Sequence, residues 1–197
     1  MAKVGLYFGS FNPVHIGHIA IAGYMNEFTP LDEVWFVVSP QNPFKKKESL
    51  LDNYQRLHMV NLAIGDNYRM KASDIEFRLP VPSYTIDTLM YLGEKYPNHI
   101  FSLVMGEDNL YTLHKWKNAE ELVKRYEVFV YPRLEVKRPS AVHLELIYSK
   151  AVIHYVKAPL MDISGTFIRN GIKKGKNMSY YLPAPVWKYI EEMHFYE

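Results

Sequence analysis

Two histidines, His15 and His18, sit three positions apart in the stretch Gly9-Ser10-Phe11-Asn12-Pro13-Val14-His15-Ile16-Gly17-His18. On the first turn of a helix, that spacing lets both imidazoles point at one place. Imidazoles so placed can donate hydrogen bonds to phosphate oxygens as negative charge rearranges. The start of a helix adds its own N–H groups and dipole, which favour an anion. Gly9 lets the chain turn closely around a ligand, and Gly17 lets the helix approach a neighbour or a ligand. The bland alternatives are a surface pair, a satisfied core pair or part of a metal site, although no third ligand lies nearby in the sequence.

A second constellation is Ile163-Ser164-Gly165-Thr166-Phe167-Ile168-Arg169. Ser164 suits a helix N-cap. Ser164, Thr166 and the helix start would present hydroxyl and N–H donors together. Arg169, one turn beyond Thr166, can fork onto phosphate oxygens. A simple capped helix with an exposed arginine fits the same residues. Lys45, Lys46 and Lys47 make a cationic loop that is either solvated or turned to phosphate.

The elements that must position these residues are short apolar runs: Val4–Phe8, Val34–Val38, Met70–Ile75, Ile100–Met105, Val128–Tyr131 and Ala151–Val156. Several lack clean alternation, as strands buried on both faces of a parallel sheet do. Between them lie helical patterns. Leu50, Tyr54, Leu57, Val60 and Ile64 share one helix face, with Ser49 and Asp52 as a capping box. Further helices are expected after His15, around Ile86–Met90, from Asn118, and over Pro185–Phe195 with Pro185 in its first turn. This alternation predicts an α/β fold: a Rossmann-like doubly wound parallel sheet with helices on both faces. Residues 1–197 read as a single domain with a small helical part from about residue 163, and 132–145 as the most irregular stretch. In such a fold ligands sit at the carboxyl ends of the strands.

Bulk properties exclude several classes. With 23 basic and 21 acidic residues the formal charge is +2, so no chain-wide basic footprint for nucleic acid exists. There are no cysteines, which excludes disulfides and Cys-based metal sites. No apolar run approaches the ~18 residues of a membrane span. The first residues lack a signal peptide's long apolar stretch, so a cytoplasmic protein is expected.

Gly9–His18 resembles the G-x-F-x-P-x-H-x-G-H motif of the nucleotidyltransferase superfamily, and Ile163–Arg169 resembles its I-S-S-T-x-I-R motif, with Gly165 in place of the second serine. His15-Ile16-Gly17-His18 also matches the HIGH motif of class I aminoacyl-tRNA synthetases. The stretch Lys174–Ser179 is superficially similar to their lysine motif, but 197 residues leave no room for an anticodon-binding part. Ser83-Tyr84-Thr85-Ile86-Asp87-Thr88-Leu89 looks like the S-Y-T-I-D-T-L stretch of bacterial nicotinate-nucleotide adenylyltransferases. Met105–Asp108 with Leu113 and Trp116 is similar to that family's G-x-D…L…W segment. Tyr181-Leu182-Pro183, Val186, Tyr189 and Ile190 resemble its C-terminal helix. One departure is Asn42-Pro43-Phe44-Lys45, where the family has P-P-H-K.

The resemblance implies transfer of AMP from ATP to nicotinate mononucleotide, in NAD biosynthesis, with Mg²⁺ travelling on the phosphates and no dedicated protein metal site. It assigns His18 to the α-phosphate and His15 beside it. Arg169, Ser164 and Thr166 fall to the β and γ phosphates, and Lys45 covers the reacting groups. Gly9, Ser10 and Phe11 form the ATP-binding turn. Gly106 allows close approach of the nucleotide, and Asp108 accepts from a ribose hydroxyl or caps a helix. Trp116 stacks on the pyridine ring or packs half-buried. Backbone N–H groups at Tyr84 and Thr85 suit a carboxylate. Arg133, at the end of a strand, could line the pocket. The rivals are another acceptor (nicotinamide mononucleotide, phosphopantetheine, a phosphorylated sugar or alcohol) and a non-catalytic nucleotide sensor or nucleic-acid module. Neither a nucleic acid nor a membrane is expected as a partner, and a homo-oligomer stays open.

Overall fold

A computed structural model of the chain describes residues 1–40, 50–80, 82–134 and 151–197. Six strands make one sheet: β1 (Ala2–Gly9), β2 (Glu33–Val38), β3 (Met70–Ser73), β4 (His99–Gly106), β5 (Val128–Tyr131) and β6 (Ile153–Tyr155). Their spatial order is β3-β2-β1-β4-β5-β6, and every neighbouring pair is parallel. All six expected runs are strands. The run from Met70 stops at Ser73, and Ile75 belongs to a 3₁₀ turn over Ile75–Arg78.

Among the described residues the helices are α1 (Ile16–Phe28), α2 (Asn53–Ile64), α3 (Thr85–Lys95), α4 (Glu107–Thr112), α5 (Ala119–Arg125), α6 (Gly165–Lys173) and α7 (Ala184–Glu192). They divide between the two faces of the sheet. Tyr7, Val34, Phe36, Val38, Phe129 and Tyr131 bury one face under α1, α2, α6 and α7, through Ile21, Met25, Met59, Val60, Ile168, Ile172, Val186 and Ile190. Val4, Leu6, Trp35, Val37, Leu103, Val128 and Val130 bury the other under α3, α4 and α5, through Ile86, Leu89, Leu92, Leu110, Leu122 and Val123. Alternate residues of one strand thus serve two cores, which is why the runs are apolar throughout. Each such side chain contributes about 1.5–3 kcal/mol of burial. No helix among the described residues is long and apolar enough to cross a membrane.

Helix starts follow local chemistry with one correction. Ser164 caps α6, its hydroxyl accepting from Phe167 N–H at 3.2 Å, and Pro185 lies in the first turn of α7. Asn118 precedes α5 through a left-handed backbone (φ 51°) rather than through its side chain. The start of α2 is Asn53, not Leu50. Asp52 is the cap and accepts from Tyr54 N–H at 2.8 Å, while Ser49 lies outside the described residues. The buried face of α2 is Arg56, Met59 and Val60, and Tyr54 is 67% exposed. The apolar stripe read from spacing therefore holds only in part, because Arg56 is drawn inward by backbone carbonyls.

Strand order reverses at β1: β2 and β3 lie to one side, β4, β5 and β6 to the other. The connections leaving β1 and β4 run to opposite sides of the sheet, which opens a crevice beyond their carboxyl ends.

Candidate active site

At the end of β1 the chain turns sharply. Phe11 takes a left-handed backbone (φ 44°), and the Asn12–Pro13 peptide is cis. The Phe11 ring is 1% exposed and lies edge-on to His18 (5.1 Å between centroids) and to Tyr7 (5.7 Å). The Phe11 side chain thus packs under His18 within the expected ATP-binding turn.

His15 is the N-cap residue of α1. Its backbone N–H donates to His18 Nδ1 at 3.2 Å. That bond fixes the neutral His18 tautomer, putting the proton on Nε2 as a donor. The two rings stack at 3.6 Å with 26° between planes. A Cβ on Gly17 would stand 3.1 Å from His15 Nδ1, so glycine there leaves room for the ring. Burial first, then the Arg133 guanidinium, brings the His15 pKa down from 6.5 to about 4. His15 is therefore neutral at pH 7. Its buried Nδ1 has no hydrogen-bond partner among the described residues. This nitrogen faces the first turn of α1, beside Gly17.

The cleft is walled by Tyr7, His15, His18, Tyr131, Arg133 and Met161, among others. The Tyr7 and Tyr131 hydroxyls lie 3.3 Å apart. The Arg133 guanidinium lies 5.7 Å from the Tyr131 ring centroid, with its Nε 3.5 Å from Asp108 Oδ1. Asp108 occupies the first turn of α4, whose N-cap residue is Gly106. A Cβ on Gly106 would collide with the Asp108 carboxylate.

The second constellation meets the first directly. Arg169 Nη1 donates to the Asn12 carbonyl at 2.7 Å, and Nη2 donates to Thr166 Oγ1 at 3.3 Å. A Cβ on Gly165 would stand 2.8 Å from that same Asn12 carbonyl oxygen. Glycine at 165 is thus what lets α6 dock onto the turn after β1.

Beneath both lies Arg56, fully buried. It donates to the carbonyls of Ser10 (2.5 Å), Ser39 (2.9 Å) and Leu51 (3.0 Å), and to Asn53 Oδ1 (2.6 Å). It ties the turn after β1 to the end of β2 and the entry of α2.

Tyr84, Thr85 and Trp116 gather elsewhere. Tyr84 is the N-cap residue of α3, and Thr85 is its first residue. Lys117, next to Trp116, sits 4.6 Å over the Tyr84 ring and pairs with Asp87 at 2.8 Å. Trp116 packs partly buried against the second core. These residues do not wall the cleft described above. Lys45 lies outside the described residues. Sequence reasoning missed Tyr7, Asn12, Arg56 and Tyr131. Arg133 was the one cleft residue signalled by its place at a strand end.

A cleft with a fixed Nε2–H donor, a helix N-terminus and nearby guanidinium groups can hold a polyanion and stabilise charge on it. A cytidylyltransferase-like family model matches residues 6–171. A probable nicotinate-nucleotide adenylyltransferase of Flavobacterium johnsoniae is 55% identical over 99% of this chain and 99% of its own. Its counterpart in Flavobacterium psychrophilum is 53% identical, with the same coverage of both. The chain also superposes on a Plasmodium falciparum nicotinic acid mononucleotide adenylyltransferase complexed with NaAD. The TM-score is 0.78 at 20% identity, covering 100% of this chain and 98% of that one, a likeness of fold.

Proposed function

The chain belongs to the cytidylyltransferase-like family and, within it, to the nicotinate-nucleotide adenylyltransferases, and from that premise we propose how its site transfers AMP from ATP to nicotinate mononucleotide. The products are nicotinate adenine dinucleotide and pyrophosphate. The observation that carries the reading is the stacked His15–His18 pair, with the His18 tautomer fixed by His15 N–H.

An oxygen of the acceptor's 5′-phosphate attacks the α-phosphorus of ATP. One P–O bond forms there, the α–β bridging P–O bond breaks, and pyrophosphate leaves with that electron pair. The attacking phosphate is already anionic at neutral pH, so no general base is required. The protein's task is to align two polyanions and offset their charge. His18 donates from Nε2 to an α-phosphate oxygen, with neutral His15 beside it. Arg169, with Ser164 and Thr166, takes the β and γ phosphates. Gly9, Ser10, Gly106 and Asp108 border the nucleoside, and Lys45 is assigned to the reacting phosphates. Tyr84, Thr85 and Trp116 receive the nicotinate end, the N-terminal N–H groups of α3 meeting its carboxylate.

Mg²⁺ would supply charge neutralisation on the phosphate oxygens. No three His, Cys, Asp or Glu side chains cluster among the described residues; an ion carried by phosphate oxygens and water would need few protein ligands. In the same reading the enzyme works in the cytoplasm on two small nucleotides, without a nucleic-acid or membrane partner.

The test is pyrophosphate release with ATP and Mg²⁺, with nicotinate mononucleotide and nicotinamide mononucleotide offered separately. Fast release with the nicotinate form and slow release with the amide is the expected result. Release with neither, or faster release with phosphopantetheine, would overturn the substrate.

A further inference from the structure

The segment after α7 returns to the turn after β1. Helix α7 ends in a Schellman turn: Phe195 N–H reaches Ile190 O at 3.1 Å, and His194 N–H reaches Glu191 O at 3.3 Å, with His194 at the left-handed position (φ 52°). The turn sends Phe195 into the core, edge-on to Tyr189 at 5.4 Å. Tyr196 follows, also left-handed (φ 69°). Two such residues in three positions persist only when other contacts hold them.

The contact at Tyr196 is specific. Its hydroxyl donates to Asn12 Oδ1 at 2.7 Å, across 184 positions of sequence. Burial raises the phenol's pKa, while the Arg169 and Arg56 guanidinium groups pull the other way. The hydroxyl therefore keeps its proton and acts as donor. Asn12 Oδ1 also accepts from Leu51 N–H at a long 3.4 Å, and the Asn12 carbonyl holds Arg169. Asn12 thus joins the turn after β1, the entry of α2, the arginine of α6 and the segment after α7.

We propose that the Tyr196 hydroxyl is a positioning group for the nucleotide half of the site: it fixes Asn12, whose carbonyl sets the direction of the Arg169 guanidinium. The inference rests on the reading of Arg169 as a phosphate ligand. Tyr196 touches no substrate itself.

The test is Tyr196→Phe in the full chain, which removes one oxygen and keeps the ring. Five quantities are measured: affinity for the α,β-methylene analogue of ATP, kcat, both KM values and Tm. Loss of one hydrogen bond corresponds to roughly a 3- to 10-fold effect. Analogue affinity and kcat/KM for ATP should fall by that factor, while the acceptor KM stays within about twofold and Tm moves by a few degrees at most. In an Arg169→Ala background the substitution should produce no further loss. Unchanged analogue affinity, an equal loss for both substrates, or the same loss without Arg169 would each overturn the proposal. If the unaltered protein failed to bind the analogue, the adenylyl-transfer reading would fall first, and this inference with it.

Discussion

Adding a single methyl group at Gly165 tests how tightly the two halves of the site are joined. A Cβ there would stand 2.8 Å from the Asn12 carbonyl oxygen and 3.2 Å from Arg169 Nη1. An ordinary contact needs several tenths of an ångström more. The nearer neighbour is backbone, held in a turn between β1 and α1, so it cannot swing aside as a side chain would. Either α6 slides or the turn after β1 moves, and overpacking of this kind costs about 1–3 kcal/mol. In a chain of 197 residues that is a Tm loss of roughly 2–4 °C per kcal/mol. Arg169 is displaced as well, and a weakened charge-assisted bond of about 1.5–3 kcal/mol would lower kcat/KM for ATP by about 10- to 100-fold. Gly165→Ala and Gly165→Ser should both show this, even though serine matches the family motif more closely. Thermal melts and initial rates with ATP varied against saturating acceptor are the assays. A Gly165→Ser protein with unaltered Tm and ATP KM would refute the packing argument outright.

His18→Ala should lower turnover by about 10²-fold or more, the scale of one lost transition-state donor, with little change in Tm; steady-state rates near those of the unaltered enzyme would remove His18 from the centre of the mechanism. Trp116→Ala should raise the KM for nicotinate mononucleotide more than that for ATP, and equal changes in the two would argue against ring stacking. His15 has a folded pKa of about 4 against an ordinary 6.5, so its contribution to stability is fully present above pH 6.5 and drains as pH falls through 4. The loss amounts to at most about 3 kcal/mol. Urea midpoints across that window should decline less steeply in His15→Gln, and an identical slope would count against the depressed value.

The sheet was legible because a strand buried on both faces has no polar side to hide its signal. Val128 and Val130 serve one core while Phe129 and Tyr131 serve the other, and the run reads as apolar throughout. The His15–His18 spacing and the Ser164 cap were legible for a similar reason, since each depends on three or four neighbouring residues. Arg56 was not. An arginine inside a helical pattern reads as solvent-facing, and only the carbonyls of Ser10 and Ser39, from two other segments, explain its complete burial. The same three-dimensional dependence hid Asn12, whose side chain is claimed by Tyr196. It also hid the start of α2, where Asp52 caps the helix at Tyr54 N–H and the apolar spacing had suggested an earlier turn.

The depressed pKa of His15 and the arginines around the crevice express one physical condition. Arg133 borders the cleft, Arg169 reaches across from α6, and Arg56 lies under the turn. Asp108, 3.5 Å from Arg133, offsets only part of that charge. In such a positive, water-poor place a proton on His15 is disfavoured twice, by burial and by Arg133. The fixed charge that meets a polyanion is therefore carried by guanidinium groups, which do not titrate near neutral pH. The His15 imidazole is left as a neutral, directional hydrogen-bonding group. Guanidinium groups supply attraction at all working pH values, and His15 placed among them stays a neutral imidazole at neutral pH.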